Sequence, residues 1–252
     1  AFAGGGCIRS SGMLTLTDSV VMGCDSSGEG GGGLLNDRGI MSIDRTLVTV
    51  NKSVGLGGGV ANEGNPSQLD LTDCTVSGNE AGTIGGGIYN YAGNIGGGTI
   101  TLARTTVSGN KSAGLGGGIF NDNFGVITAV NSTVSGNEGT GGGGISGNNG
   151  HTVNLRNVTI TANLAKTGDG GGIEGNGTFT VRNSIIAGNT SVLGSAEDCS
   201  ASVTSEGHNL FGDATGCVIT GVATGNLTGV SAGLVALGSN GEAALLEEAE
   251  GD

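Results

Sequence analysis

Apolar residues along this chain fall two apart, lapse, and return once more, and the cadence repeats about every 27 residues. The frame is clearest counted back from a terminal position held by Cys24, Asn51, Asn79, Asn110, Asn137, Asn163 and Asn189. Three residues earlier stand Val21, Val48, Val76, Val107, Val134, Ile160 and Ile186. Eight earlier come Leu16, Ile43, Leu71, Leu102, Ala129, Leu155 and Val181, and ten earlier Leu14, Met41, Leu69, Ile100, Ile127, Val153 and Phe179. Thr, Ser, Asn, Asp and Arg fill the places between. Apolar side chains at −10 and −8 are the alternation of a strand with one face inside, and nothing recurs at helical spacing. The pattern predicts two or three short strands per repeat.

Glycine opens every repeat. Triplets at Gly4–Gly6, Gly31–Gly33, Gly57–Gly59, Gly85–Gly87, Gly116–Gly118, Gly142–Gly144 and Gly170–Gly172 start 26, 27, 28 or 31 residues apart. Each is followed by an apolar residue: Cys7, Leu34, Val60, Ile88, Ile119, Ile145 or Ile173. A fixed period of this length signals stacked repeats. The expected fold is all-β, a single-stranded right-handed parallel β-helix of about seven to nine coils of ~27 residues. At the usual strand separation of roughly 4.8 Å, seven coils make a rod about 30–35 Å long.

The recurring Asn51, Asn79, Asn110, Asn137, Asn163 and Asn189 are read as an inward ladder, each amide bonding to the coils above and below. Gly23, Gly78, Gly109, Gly136 and Gly188 precede ladder positions, as a corner at positive φ requires. A leucine-rich repeat lacks its Leu-x-x-Leu-x-Leu frame here, and a calcium-binding nonapeptide roll would need glycine units about nine residues apart. Residues 1–221 are assigned to the β-helix, with repeats over 4–189 and disulfide-bearing coils over 190–221. Residues 222–252 form a C-terminal extension, of which 241–252 reads as a short acidic helix or tail.

Charge narrows the function. A net charge of −13 with only nine Lys and Arg, unclustered, argues against nucleic acid. Five Phe, two Tyr and no Trp leave few stacking faces for a sugar cleft. No run of eighteen apolar residues is present to span a membrane. The chain opens inside a repeat and reads as a segment of something longer. No cofactor or metal site is expected, although Asp and Asn near the glycine bends could hold Ca²⁺ loosely. His151 and His208 are read as surface or loop residues. Of seven Asn-x-Ser/Thr sequons, at Asn51, Asn110, Asn131, Asn157, Asn176, Asn189 and Asn226, the first, second and sixth fall on buried ladder positions, and Asn131, Asn157 and Asn176 are open to glycosylation in a host with the machinery.

Five cysteines bear on compartment. Cys199 and Cys217 flank a stretch, Ser200–Gly216, that leaves the repeat pattern, and a disulfide closing it would add roughly 3 kcal/mol on the loop-entropy model. Cys7 and Cys24 either pair across the first coil or stand in as small buried hydrophobes. Cys74 sits where other repeats carry Thr or Ser and is expected as a free thiol. A bridge near a terminus favours an oxidising, secreted setting.

The runs Gly85–Asn90 and Gly116–Asn121, with Thr-Val-Ser-Gly-Asn at Thr75–Asn79, Thr106–Asn110 and Thr133–Asn137, resemble the Gly-Gly-x-Ile repeats of polymorphic outer-membrane proteins and related bacterial surface β-helices. The segment Asp198–Cys217, with Ser205-Glu206-Gly207-His208-Asn209-Leu210 between two cysteines, resembles the C-terminal part of large secreted β-helix proteins that carry a variable cell-surface anchor. The resemblance covers most of residues 4–217 and implies this fold at a cell surface, with no catalytic motif to carry over. The repeats at Asn148 and Asn176 depart from it by shifting the post-glycine Asn one residue.

Three functional readings follow. The first is a non-catalytic structural or adhesive surface module, self-associating end to end or engaging surface glycans of a host or neighbouring cell, since a β-helix presents strand edges at both ends. The second is a polysaccharide lyase or glycoside hydrolase, which needs two carboxylates in a cleft. Its candidates are Asp18, Asp44, Asp73 and Glu63, but Arg45 and Arg104 share the column of Asp18 and Asp73, the pattern of a solvated charge ladder. The third is ice or mineral binding through a Thr array. Thr15, Thr17, Thr49, Thr72, Thr101 and Thr128 face outward but are not expected to hold one column.

Overall fold

The computed structural model describes residues 6–28, 30–93 and 98–234, which contain strands and turns but no helix. One coil runs through Val60–Glu63, Ser67–Thr72, Thr75–Ser77 and Glu80–Ala81. The next repeats it as Ile88–Tyr91, Gly98–Ala103, Thr106–Ser108 and Lys111–Ser112. Each strand pairs in parallel with its counterpart one coil away, so Val48, Val76, Val107 and Val134 stand in one register column. The result is a right-handed parallel β-solenoid of about seven coils. The strands assort into sheets of nine, seven and fifteen. In the last, two columns merge through the continuous strand Ile173–Arg182.

Four strands per coil replace the two or three expected. The alternation rule missed the strand after each glycine triplet because both of its faces are covered. Ile88 and Ile119 point into the main core, while Leu35, Ala61, Tyr89 and Phe120 on the other face are buried under Leu56, Ile84 and Leu115 from the glycine turns. The strand after the ladder Asn has only two residues, too short to show a period.

The triplets divide their labour, as Gly116–Gly118 illustrates. Gly116 turns the chain at φ 65°. A Cβ on Gly117 would collide with the backbone of Glu138 on the following coil. A Cβ on Gly118 would sit 2.9 Å from the amide nitrogen of Asn137. The three glycines thus supply the bend, the close approach of coils and the room for the ladder.

The corner before each ladder position is also left-handed. Glycine occupies it at Gly23, Gly78, Gly109, Gly136 and Gly188, but Val50 (φ 54°) and Ala162 (φ 56°) take the same conformation. A left-handed L-residue costs roughly 1–2 kcal/mol, and Val50 is largely exposed, so little packing offsets it. Against the entropic penalty of glycine, Val50→Gly should still raise stability by about 0.5–1 kcal/mol, read as a higher urea midpoint. An unchanged or lower midpoint would show that the side chain contributes packing absent from this account.

A disulfide lies toward each end of the described stack. Cys7 bonds Cys24 with Cα atoms 5.5 Å apart, and Cys199 bonds Cys217 at 5.4 Å. The first settles the open alternative in favour of a bridge. The stretch after Cys199 does not leave the stack: Cys199–Glu206 pairs with Ile173–Arg182, and a register shift between Gly175 and Phe179 absorbs its shorter length. Sequence spacing hid this because the shift displaces the expected apolar positions. Pairing continues past residue 221, with Leu227–Thr228 on Leu210–Phe211. The expected helix or tail at 241–252 lies outside the described residues.

Candidate functional site

The six ladder asparagines are all buried and form one chain of amides. The side-chain nitrogen of Asn110 donates to Asn137 Oδ1 at 2.9 Å and to the Val76 carbonyl at 2.9 Å. Its Oδ1 accepts from the backbone N of Asn79 at 3.0 Å and from Asn79 Nδ2 at 2.9 Å. Asn51, Asn79, Asn137 and Asn163 repeat this arrangement. The ladder begins at the half-cystine Cys24, whose backbone N donates to Asn51 Oδ1 at 3.0 Å. It ends on the buried Asp198, whose Oδ1 accepts from both the N and the Nδ2 of Asn189 at 2.8 Å. A carboxylate suits this last position because it faces only donors.

A second ladder went unpredicted. Asn36, Asn62, Asn90 and Asn121, all fully buried, link through side-chain bonds of 2.7–2.8 Å. The signal was present as an Asn in the third place after each of four glycine triplets. In the next two coils Gly147 and Gly175 take the register position of Asn121.

The space those glycines leave is filled by His151, which corrects the expectation of a surface histidine. Its ring is fully buried against Gly147, Gly175 and Gly177 and meets Phe179 edge-on, centroids 5.2 Å apart. Among the described residues, neither ring nitrogen has a partner in hydrogen-bonding geometry. Burial holds its pKa below the ordinary histidine value, with the Asn148 backbone and Asp122 opposing only in part. The unfolded chain therefore binds the extra proton first, and stability should fall as pH drops below about 6.5. Melting temperature recorded between about pH 7 and 5 should decline in the wild type and less in His151→Leu. Parallel profiles would remove His151 from the acid response. His208 lies on an exposed turn, as expected.

On the outer surface, one left-handed turn column runs Asp18, Arg45, Asp73, Arg104, Asn131, Asn157, Asn183. Arg45 grips Asp18 through contacts of 2.6 and 2.9 Å, and Arg104 grips Asp73 at 2.6 and 2.7 Å. Asp44 also contacts Arg45. The guanidinium partners lower the pKa of Asp18 and Asp73, so these acids are poorly placed to pick up a proton as general acids. Glu63, the fourth candidate acid, belongs to a different column beside Asp37 and Tyr91. Above the charged coils the same column becomes an exposed amide ladder, Asn157 to Asn131 at 2.9 Å and Asn183 to Asn157 at 2.7 Å.

Burial pushes the Glu174 carboxyl above its ordinary range. It accepts from Ser146 Oγ at 3.2 Å. Its column position, among outward residues covered by the glycine turns, was not visible in the sequence. Cys74 is a buried free thiol, raised by burial, at the position where neighbouring coils carry Thr46 and Thr105. Among the sequons, Asn51, Asn110 and Asn189 are buried, whereas Asn131, Asn157 and Asn176 are exposed.

The threonine candidates divide. Thr15, Thr101 and Thr128 share one column with Ser42, Asp70, Asn154 and Thr180. Thr17 and Thr72 stand in the adjoining column, whereas Thr49, expected to face outward, is buried on the nine-stranded sheet. An unremarked column on that sheet runs Thr75, Thr106, Thr133, Thr159.

Among the described residues, no group of three or more His, Cys, Asp or Glu is placed to hold a metal ion, and no helix is long and apolar enough to cross a membrane. Comparison of the chain with protein-family models, curated proteins and solved structures finds no match in any of the three, so the functional reading rests on the geometry.

Proposed function

We propose that this chain is a non-catalytic module of a cell surface, structural and adhesive, whose rods extend by stacking end to end. The observation that carries the reading is the uninterrupted parallel register of the described coils, each paired strand for strand with its neighbours, which a further coil of the same pattern would continue.

Supporting features point the same way. From Leu34 to Ser191 the stack is continuous, and the candidate acids Asp18, Asp44 and Asp73 are engaged by arginines. Two disulfides suit an oxidising compartment. The Gly-Gly-x-Ile resemblance to bacterial surface β-helices supports an extracellular setting. Negative-stain electron microscopy of the purified chain at high concentration, with and without EDTA, tests the proposal. Filaments with an axial repeat near the length of the coil stack are expected; short rods alone would reject end-to-end stacking. A change with EDTA would reveal cations held at the glycine bends.

A further inference from the structure

Arginine is scarce in this chain, and the structure uses most of it in one way. Arg9, Arg45 and Arg104 each reach a carboxylate on a neighbouring coil, Asp37, Asp18 and Asp73, and Arg38 pairs with its sequence neighbour Asp37. Arg156 and Arg182 break the habit. They occupy one register column on consecutive coils, both exposed, with no acid between them. The residues that follow them, where the lower coils carry Asp18, Arg45, Asp73 and Arg104, are the neutral Asn157 and Asn183. Arg156 makes only a long contact of 3.5 Å to Glu206, and Arg182 has no ion pair among the described residues. Like charges directly opposite on adjacent strands are unfavourable, so an acidic protein that stacks two arginines leaves a local positive charge unneutralised.

The surface around the pair has a shape. A depression of about 270 Å³ is lined by Thr128, Val130, Asn154, Leu155, Arg156, Thr180 and Glu206. Thr128, Asn154 and Thr180 belong to one outward column, which continues to Thr204 and Thr220. The wall thus offers hydroxyls and an amide beside the Arg156 guanidinium and the Glu206 carboxylate, without an aromatic face, and Arg182 stands outside it on the next coil of the Arg156 column. Its volume is slightly under the range of whole-ligand pockets, roughly 300–1,000 Å³, and suits one unit of a longer chain.

We infer that this face binds a carboxylated polysaccharide, with one uronate unit seated in the depression against Arg156, its carboxylate also within the field of Arg182 on the next coil, and its hydroxyls on Thr128, Asn154 and Thr180. Charge selects the carboxylate. Two arginines and Glu206 sum to one positive charge, which one carboxylate neutralises, whereas a doubly charged phosphate would meet Glu206 with charge to spare. A planar carboxylate also matches the guanidinium fork. The inference gives the adhesive reading a ligand class and rests on that reading, but it does not depend on end-to-end stacking.

The test is a nuclear magnetic resonance titration of the intact chain with a short oligogalacturonide, its carboxyl-reduced counterpart and sodium sulfate. The acidic oligosaccharide is expected to shift the amides of Thr128, Asn154, Arg156, Thr180 and Arg182 saturably, with the reduced form and sulfate ineffective. Arg182→Gln and Arg156→Gln should each weaken binding about tenfold or more, the loss of one charge-assisted contact. Glu206→Gln should bind at least as well as the wild type. Because all three side chains are exposed, the spectra of the variants also report intact folding. Equal shifts with the reduced oligosaccharide, equal binding by Arg182→Gln, or no shift at all would each overturn the inference. Filaments in the microscope without glycan shifts would leave the structural module standing and remove only this site.

Discussion

Gly117→Ala is expected to damage the rod severely for so conservative a substitution, with a loss of about 3 kcal/mol or more and a shallower unfolding transition. The added methyl would meet the Glu138 backbone of the next coil. No side-chain rotation relieves a collision between main chains, so the coils must separate there and surrender parallel hydrogen bonds. Gly109→Ala is the control. Gly109 has φ 62°, yet a Cβ there finds nothing closer than Gly78 N at 3.9 Å. It should lose only the left-handed penalty, about 1–2 kcal/mol. Urea denaturation of both variants separates crowding from conformational strain. Equal losses would mean that the coils have freedom to move apart, contrary to the account of the triplet.

Asn110→Asp should be nearly as severe, at about 3 kcal/mol or more, and clearly worse than Asn110→Ala at about 1–3 kcal/mol. Alanine leaves the Asn79 backbone N–H without its acceptor. Aspartate is worse because its second oxygen would face two acceptors, Asn137 Oδ1 and the Val76 carbonyl, each now 2.9 Å from the amide nitrogen. The buried charge would raise its pKa, so part of the loss relative to wild type should return as pH falls and the carboxyl regains a donor proton. Thermal melts of wild type and both variants at two pH values give the order. If Asn110→Asp is no worse than alanine, amide direction is not what aligns the ladder. Asp198 shows the converse: an acid is accommodated in the same line because its oxygens meet only N–H groups, from Asn189 and Asp213.

The arginine pair proposed to hold a uronate and the interior differ in how far they could be foreseen. Arg156 and Arg182 are 26 residues apart, an unremarkable distance until the register aligns them. His151 belongs to the same class. Nothing adjacent to it in sequence says that Gly147 and Gly175 vacate a ladder position, and only the stacking turns two missing side chains into a cavity the imidazole fills.

What the sequence determined by itself is whatever recurs: the solenoid, its period, the inward apolar columns at Val76, Val107 and Val134, and the ladder from Asn51 to Asn189. These repeat because each coil solves the same local problem of burying one strand face and satisfying one corner. Tertiary structure alone decided the contacts between unequal residues on different coils. Those are the choice of a Cys7–Cys24 bridge, Asp198 as the end of the ladder, the register shift at Gly175–Phe179 and the arginine pair. The physical reason is that periodicity encodes the average coil, whereas charge pairing and cavity filling depend on departures from it. A departure acquires meaning only when the neighbour about 4.8 Å above or below is known.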